Sequence, residues 1–426
     1  MSVRFKLVLA LSSALIPAAM LAAPAAQAQD KKVLRIFVGG QQRPDVWEQV
    51  IKKYEAANPN FDVEIEVGGA TSEAQQQYLT TVLTSKDDSI DLMLIDIVRP
   101  AQYAAAGWAE PLDQYLDAGE KDKLLKNYLP AYAEANQVDG KLYSMPSFAD
   151  AQFLYYRKDL FEKHGLTPPK TWEEMVAAAK KITAAEGDPN LQGISFTGAP
   201  IEGAVCTFLV PFWAMGGSLT DGKGAVTVDT PQARKALDVW TQLKTDKLAK
   251  ASIAEVKTDD IRREFQAGNA AMAVLWAYGW NRFQNDADSK VKDKVGVVEL
   301  PKIDGKSATC LGGWQWAMSA HSSDKKAAFD LLRYLSGPEA SKTLALAASN
   351  LPVLPTVYED ADVLKANPWF KDALPVVMTA RARPVSPRYA EVSDIIRSNV
   401  NAVLAGTKTS DQAVTEMQAR LSRSMR

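Results

Sequence analysis

The feature that most constrains the fold is an alternation of strand-like and helix-like segments along the first part of the chain. Four apolar residues, Leu92 to Ile95, stand between acidic residues without interruption, which is typical of a strand buried on both faces of a parallel sheet. Strands are also predicted over 33–38 and 61–67, and helices over 44–54 and 72–84. This alternation predicts an α/β fold.

The first 28 residues have the pattern of a targeting segment. Arg4 and Lys6 form a short basic start, and Val8 to Leu21 is a mostly apolar stretch that is too short to span a bilayer. Ala26-Gln27-Ala28 matches a small-residue cleavage site. We therefore predict a signal peptide over 1–28, cleavage after Ala28, and export to a periplasm.

The remainder of the chain is long enough for two domains. About 400 residues follow the predicted leader, and a single core stops growing at roughly 250–300 residues. Thr171-Trp-Glu-Glu174 matches a capping box that opens a helix through Ile182. A helix over 259–266 and a strand over 271–276 are predicted next, and the C-terminal stretches 389–404 and 411–421 have helical periodicity.

Composition and motifs exclude several classes of function. The net charge is −2 with acids and bases interspersed, so the chain has no electrostatic footprint for nucleic acid. It contains no phosphate-binding loop, no dinucleotide fingerprint, no nucleophile elbow and no HExxH zinc motif. His164 and His321 each stand alone. We expect neither a metal nor a cofactor.

Cys206 and Cys310 are the two cysteines of the chain. In an exported protein they could form a disulfide. They could equally be two small buried thiols that never meet, because the sequence gives no distance between them.

Polar and aromatic residues follow several of the predicted strands. Ligands of open α/β sheets bind beyond the carboxyl ends of strands, so these positions are candidates for a binding site. Each one also has a purely structural interpretation: Asp96 could cap a helix or pair with Arg99, and single aromatic residues more often pack in a core. The positions concerned are Gln41, Gln42, Asp96, Phe148, Asp150, Trp276, Tyr278 and Trp280.

The segment Leu311-Gly-Gly-Trp-Gln-Trp316 sets two glycines beside two tryptophans. Glycine lets a main chain approach a neighbour closely, and an indole offers a flat apolar face. The combination suits the wall of a ligand site, and it also suits an ordinary core.

The chain resembles the solute-binding proteins of ABC importers for carbohydrates, in particular the trehalose/maltose-binding group. The likeness covers essentially the whole chain after the predicted leader, and the order and spacing of its landmarks make it specific. These landmarks are VGG at 38–40, DLMLIDI at 91–97, AAGWAEPLDQYL at 105–116, GKLYSMPSFADAQFLYYRKDLF at 140–161, EGAVCTFLVPFWAMGGSL at 202–219, LGGWQW at 311–316 and RPVSPRYAEVSDII at 383–396.

The resemblance implies a two-lobe fold with the ligand in the cleft between the lobes. Each lobe is expected to be a mostly parallel sheet flanked by helices. The N-lobe would comprise 29–147 and 301–346, and the C-lobe 148–300 and 347–426. The chain would cross between lobes near 146–150, near 300 and near 346–352.

The resemblance also implies roles for individual residues. Asp96 and Asp150 would accept hydrogen bonds from sugar hydroxyls, and Arg383 would donate to ligand oxygens. Trp276, Tyr278 and Trp314 would supply stacking faces, and Gly313 would bring its backbone against the sugar, which leaves Trp316 to the core. Gln41, Gln42, Gln75 and Phe148 occupy further ligand positions, where relatives often have acidic, basic or tyrosine residues, so the resemblance carries over the family better than the particular sugar.

The resulting function is a periplasmic protein that closes around a disaccharide or similar polyhydroxy compound and delivers it to an inner-membrane ABC permease. It would act as a monomer, without catalysis. An exported glycoside hydrolase that uses Asp96 and Asp150 is the alternative, since such enzymes need two carboxyl groups. A binding protein for a charged solute ranks third, because the predicted cleft collects amides, aromatics and one arginine.

Overall fold

The computed structural model describes residues 31–425, and the predicted signal peptide lies outside them. These residues contain eleven strands. They are β1 Lys32–Gly39, β2 Phe61–Gly68, β3 Leu92–Asp96, β4 Gln137–Val138, β5 Lys141–Leu142, β6 Ser144–Arg157, β7 Gln192–Ser195, β8 Ala270–Trp276, β9 Val295–Val298, β10 Leu311–Met318 and β11 Leu351–Pro352.

Helices surround the strands. The first group is α1 Pro44–Ala57, α2 Ser72–Thr84, α3 Pro100–Ala105, α4 Glu120–Leu125, α5 Pro130–Ala135, α6 Lys158–Lys163, α7 Trp172–Glu186, α8 Glu202–Ala214 and α9 Pro231–Thr245. The second is α10 Thr258–Gln266, α11 Gly279–Asn285, α12 Lys325–Leu335, α13 Pro338–Ala348, α14 Ala361–Ala366, α15 Phe370–Thr379, α16 Tyr389–Ala405 and α17 Ser410–Ser424. No helix within 31–425 has the length and apolar character needed to cross a membrane.

The predicted α/β fold is confirmed, but its sheet is mixed rather than mostly parallel. The strand order is β2-β1-β3-β10-β6-β8-β7, with β9 and β11 also paired to β6. Parallel pairs join β1 to β2, β1 to β3 and β7 to β8. The central strands β10 and β6 run antiparallel to each of their neighbours. Strand direction depends on which distant segments pair, and periodicity within a single segment does not reveal it.

Strand β6 is shared by the two halves of the sheet. Its residues 144–151 pair with β10, and its residues 152–157 pair with β8 and β9. The change of partner lies just beyond the predicted first crossing near 146–150. The lobe boundaries themselves stay a prediction, and "N-lobe" and "C-lobe" below denote the predicted ranges.

Helix α8 lies in the hydrophobic core, and every one of its residues is buried. A helix that is apolar on all sides belongs inside a domain, where it packs against neighbours in every direction. Pro211 has no N–H to donate to the carbonyl of Thr207 one turn earlier. Trp240 Nε1 donates to that carbonyl instead, at 2.7 Å, so the freed acceptor is satisfied within the core.

Cys206 on α8 and Cys310 just before β10 form a disulfide in the structure. Both residues are fully buried. The bond therefore ties a C-lobe helix to the strand that carries the glycine–tryptophan segment.

Two local predictions, a helix start and a buried strand, are confirmed. Thr171 and Glu174 form the predicted capping box at the start of α7. The apolar run Leu92–Ile95 lies in β3, which is buried along its whole length. The start of α7 and the position of β3 depend on residues that are close in the chain, so sequence patterns alone could locate them.

Candidate functional site

A cleft of about 330 Å³ opens between the predicted lobes, at the ends of β1, β3 and β8. Every residue predicted to bind ligand lines this cleft except Gln75. The predicted residues that line it are Gln41, Gln42, Asp96, Phe148, Asp150, Trp276, Tyr278, Gly313, Trp314 and Arg383. Distant parts of the sequence therefore meet at one cavity.

Gln75 lies behind the wall of the cleft and corrects the prediction. It is 3% exposed, and its Nε2 donates to Gln42 Oε1 at 2.9 Å and to the Gly69 carbonyl at 3.3 Å. The side chain therefore reaches from α2 to the loops after β1 and β2. Gln75 thus orients Gln42, which does line the cleft.

Asp96, the last residue of β3, is paired with Arg383. Its Oδ1 accepts from Arg383 Nη2 at 2.8 Å, and its Oδ2 accepts from Ser72 Oγ at 3.1 Å. The alternative partner, Arg99, instead donates Nη1 to Gln102 and lies over the Tyr389 ring, 5.4 Å from its centroid. An ion pair between Asp96 and Arg99 is not formed in the part of the chain that the structure describes.

Arg383 connects two carboxylates from different lobes. Nη1 donates to Glu202 Oε1 at 2.7 Å, while Nη2 holds Asp96. The Arg383 side chain is only 2% exposed. Glu202 also accepts hydrogen bonds from Tyr389 and Ser393. The guanidinium is therefore balanced by two buried acids, a condition that buried charges require.

Asp150, in the middle of β6, has a raised pKa. Its Oδ1 accepts from the backbone N–H groups of Ala151 and Ala277, both at 2.8 Å. Burial disfavours the charged form and, with repulsion from Asp96 adding to it, raises the pKa of Asp150 to about 7 despite the two backbone donors.

This pKa predicts a pH-dependent stability. In the unfolded chain Asp150 releases its proton near pH 4, whereas the folded protein holds it until about pH 7. The unfolded state then binds fewer protons in this window, so the free energy of unfolding falls as pH rises from about 4 to 7. The amide introduced by Asp150→Asn does not titrate. The free energy of unfolding of this variant, measured with urea, should therefore increase relative to that of wild type as pH rises from about 4 to 7. A difference that stays constant with pH would contradict the raised pKa.

The glycine pair makes room for protein rings. A Cβ on Gly312 would lie 2.5 Å from Trp276 Cζ3, and one on Gly313 would lie 2.6 Å from Tyr132 Cε1. Gly313 also has φ +131°, a value that residues with a side chain rarely adopt. Tyr132 donates its hydroxyl to the Gly312 carbonyl at 2.7 Å. The pair thus seats Trp276 against β10 and leaves the backbone of Gly313 at the cleft.

The tryptophans divide between cleft and core. Trp276 and Trp314 are half-buried and line the cavity, one from each predicted lobe. Trp316 is fully buried and packs edge-on against Trp47, with ring centroids 4.9 Å apart, as predicted for a core residue. Trp280 packs against Trp369 and does not line the cleft.

Several further residues line the cleft that were not predicted from the sequence. Many of them lie at or beside the first turn of a helix, where the preceding strand or loop delivers the chain to the cavity. A search of predicted helix starts would have found Ser72, Glu73 and Thr258. The missed residues are Arg43, Ala70, Thr71, Ser72, Glu73, Ile201, Glu202, Gly203, Lys257, Thr258, Asp259, Arg263, Gly312 and Asn350.

Comparison with known families identifies the architecture. Residues 40–342 match the family model described as bacterial extracellular solute-binding protein. The chain belongs to this family. A solute-binding protein by family, it is 36% identical over 360 residues to the "Probable ABC transporter-binding protein" of Deinococcus radiodurans, covering 83% of this chain and 84% of the relative.

Solved structures agree with the family. The maltose-bound MalE3 of T. maritima aligns with TM-score 0.86 and 32% identity, covering 91% of this chain and 98% of that one. A solute-binding protein of Agrobacterium radiobacter in complex with ribitol aligns with TM-score 0.83 and 26% identity, covering 93% and 99%. The two-lobe fold of this solute-binding protein is thus confirmed, and its similar structures hold ligands of different size.

Proposed function

We propose that this solute-binding protein binds a neutral, hydroxyl-rich ligand, a sugar or polyol up to disaccharide size, and delivers it from the periplasm to an ABC permease. The observation that carries the proposal is the pair Trp276 and Trp314, two tryptophans from opposite predicted lobes that line one cavity. Sugar rings present apolar C–H faces and polar edges, and a cleft with aromatic walls and carboxylates complements both.

The charge of the cleft supports a neutral ligand. Its acids and bases nearly balance, although there are more of both than the sequence analysis expected. The acids are Glu73, Asp96, Asp150, Glu202 and Asp259, and the bases are Arg43, Lys257, Arg263 and Arg383. A polyamine would meet four cations here, and an organic anion would meet five carboxyl groups. Either class of charged ligand would be repelled by the cleft groups that carry the same charge.

The volume of the cleft supports a ligand of small-molecule size. Its volume of about 330 Å³ lies at the lower end of the roughly 300–1,000 Å³ typical of small-molecule pockets. The named relatives extend the range of candidates, since one is maltose-bound and another is a complex with ribitol. A disaccharide of the trehalose or maltose type is our first candidate, and a hexitol or pentitol is the next.

Contacts across the cleft support closure around the ligand. Arg383 reaches Asp96, and Arg43 Nη1 donates to Asn281 Oδ1 at 2.9 Å. A ligand that touches Trp276 and Trp314 together would favour this arrangement over an open one, because only the closed form lets it contact both.

Truncation of either cleft tryptophan tests the proposal. Trp276→Ala and Trp314→Ala should each raise the Kd for the cognate sugar by at least about 30-fold, or about 2 kcal/mol, because the bound ligand would stack on each half-buried indole and complete its burial. Isothermal titration calorimetry gives the affinities, after a thermal-shift screen with maltose, trehalose, mannitol and ribitol has found the ligand.

Trp280→Ala is the matched control. It removes the same side chain from the same lobe, at a position that packs on Trp369 outside the cleft. Its affinity should equal that of wild type. Unchanged affinity in both cleft variants would count against this site.

One observation favours the alternative of a glycoside hydrolase. A carboxyl group with a pKa of about 7, such as Asp150, has the acidity that a general acid needs. The second carboxylate, Asp96, is occupied by Arg383 and Ser72. Chromatography of a maltose or trehalose incubation distinguishes the two functions, since release of glucose that Asp150→Asn abolishes belongs to an enzyme only.

A further inference from the structure

Two carboxylates of the cleft already have hydrogen-bond partners within the protein. Asp96 accepts from Arg383 on one oxygen and from Ser72 on the other. Glu202 accepts from Arg383 on Oε1 and from Ser393 on Oε2, the latter at 2.6 Å. Both groups are therefore engaged before any ligand arrives, and a ligand would have to compete with these partners.

Asn350 is a cleft residue whose side chain has no such partner. It lines the cavity and is only 6% exposed. Within residues 31–425 its amide nitrogen donates to no acceptor and its amide oxygen accepts from no donor, yet neither atom is completely covered by protein. Because the side chain borders the cleft, a molecule bound there can reach this amide. A polar group that is largely withdrawn from water and left unpaired is costly, and a ligand that pairs with it removes that cost.

The backbone on both sides of Asn350 is held in place. Ser349, the residue before it, has φ +54°, and this left-handed turn ends α13. Leu351, the residue after it, begins β11 and pairs with Ala149 of β6. One step back along this antiparallel register, Asn350 lies beside Asp150, which also lines the cleft. The amide is therefore presented to the cavity from a backbone that helix end and sheet both position.

We propose that Asn350 is a ligand-binding residue whose amide donates a hydrogen bond to one oxygen of the ligand and accepts one from a ligand hydroxyl. This inference rests on the proposed function, because it gives Asn350 a partner within the same cleft. The neighbouring Asp150 receives its two backbone N–H groups on Oδ1, which leaves Oδ2 for the ligand. Asp150 and Asn350 can thus bind adjacent hydroxyl groups of one ligand.

The chemistry of an amide favours hydroxyl groups over charged groups at this position. A hydroxyl group both donates and accepts, so it can pair with either atom of the Asn350 amide. An ammonium group only donates and a carboxylate only accepts, so each of them would leave one amide atom unpaired. A ligand with neighbouring hydroxyls satisfies both atoms without bringing a charge into the cleft.

Calorimetry with Asn350→Ala and Asn350→Leu tests the inference, using each of maltose, trehalose, mannitol and ribitol that wild type binds. Both variants should raise the Kd about tenfold, because two hydrogen bonds to a neutral amide are lost. Leucine keeps the branched shape of the side chain, so a loss in that variant reflects hydrogen bonding and not an emptied site. Without ligand, the thermal unfolding midpoint of both variants should be no lower than that of wild type, since the folded protein loses no hydrogen bond.

Asn399→Ala shows the behaviour of an amide that the protein itself uses. Asn399 is fully buried on α16, its Nδ2 donates to the Ile395 carbonyl at 2.9 Å, and its Oδ1 accepts from Lys408 Nζ at 3.0 Å. This control should lower the unfolding midpoint and leave the Kd unchanged, which is the opposite of the pattern expected at Asn350.

Three outcomes overturn the inference. Wild-type affinity in Asn350→Leu is the first, because it would mean that the side chain only fills space. The second is an unfolding midpoint that falls in both Asn350 variants as far as in Asn399→Ala, which would assign the amide to the fold. The third is a folded wild type that binds none of the four compounds, which defeats the proposed function as well. If Trp276→Ala loses affinity and the Asn350 variants do not, only the inference about Asn350 fails.

Discussion

Replacing Arg383 by methionine should lower the free energy of unfolding by about 3–5 kcal/mol, because it leaves two buried acids without their cation. Methionine keeps much of the volume of the side chain, so the loss reflects charge more than packing. Asp96 and Glu202 have side-chain exposures of 9% and 8%, and water reaches neither well enough to replace the guanidinium. Urea unfolding at pH 7 measures the effect.

Arg388→Met is the matched control for this variant. Arg388 lies five residues further along the same segment, and its ion pair with Glu391 is exposed, with the arginine side chain 55% accessible. Such pairs contribute little, so the control should lose less than about 1 kcal/mol. Equal losses in the two variants would contradict the buried bridge.

Individual strand and helix signals were readable from the sequence because they depend on neighbours in the chain. The apolar run of β3, the capping box of α7 and the proline at the start of α1 each carry their cause within a few residues. The residues at the ends of β3 and β8 followed from the same reasoning, since a strand that ends at the edge of a sheet delivers its next residue to the cleft.

Contacts between distant segments were not readable in this way. Arg383 and Asp96 are 287 positions apart, and Tyr132 reaches Gly312 across 180 positions. No local pattern signals that Glu202 shares a guanidinium with Asp96, or that a glycine is needed to clear a tyrosine ring. Gln75 shows the same limit on a smaller scale, because the direction in which a helical residue points depends on how α2 packs on the sheet.

The second large effect is expected from the disulfide. The double variant Cys206→Ala/Cys310→Ala should lose about 2–5 kcal/mol of unfolding free energy. The bond closes a segment with a sequence separation of 104, and in the chain-entropy model a loop of this length restricts the unfolded state strongly. Guanidinium unfolding with and without reductant measures the loss.

The reductant supplies the control. Wild type unfolded and refolded in reductant should match the double variant, and the double variant should not respond to reductant at all. The affinity for sugar should fall in both as well, because the bond anchors the residue directly before Leu311 to the helix that begins with Glu202. Without the disulfide, the strand that carries Gly313 and Trp314 is no longer fixed to α8, whose first residue, Glu202, binds Arg383. Oxidised and reduced wild type with equal stability and equal affinity would show that packing of α8, and not the covalent link, sets the geometry of this wall.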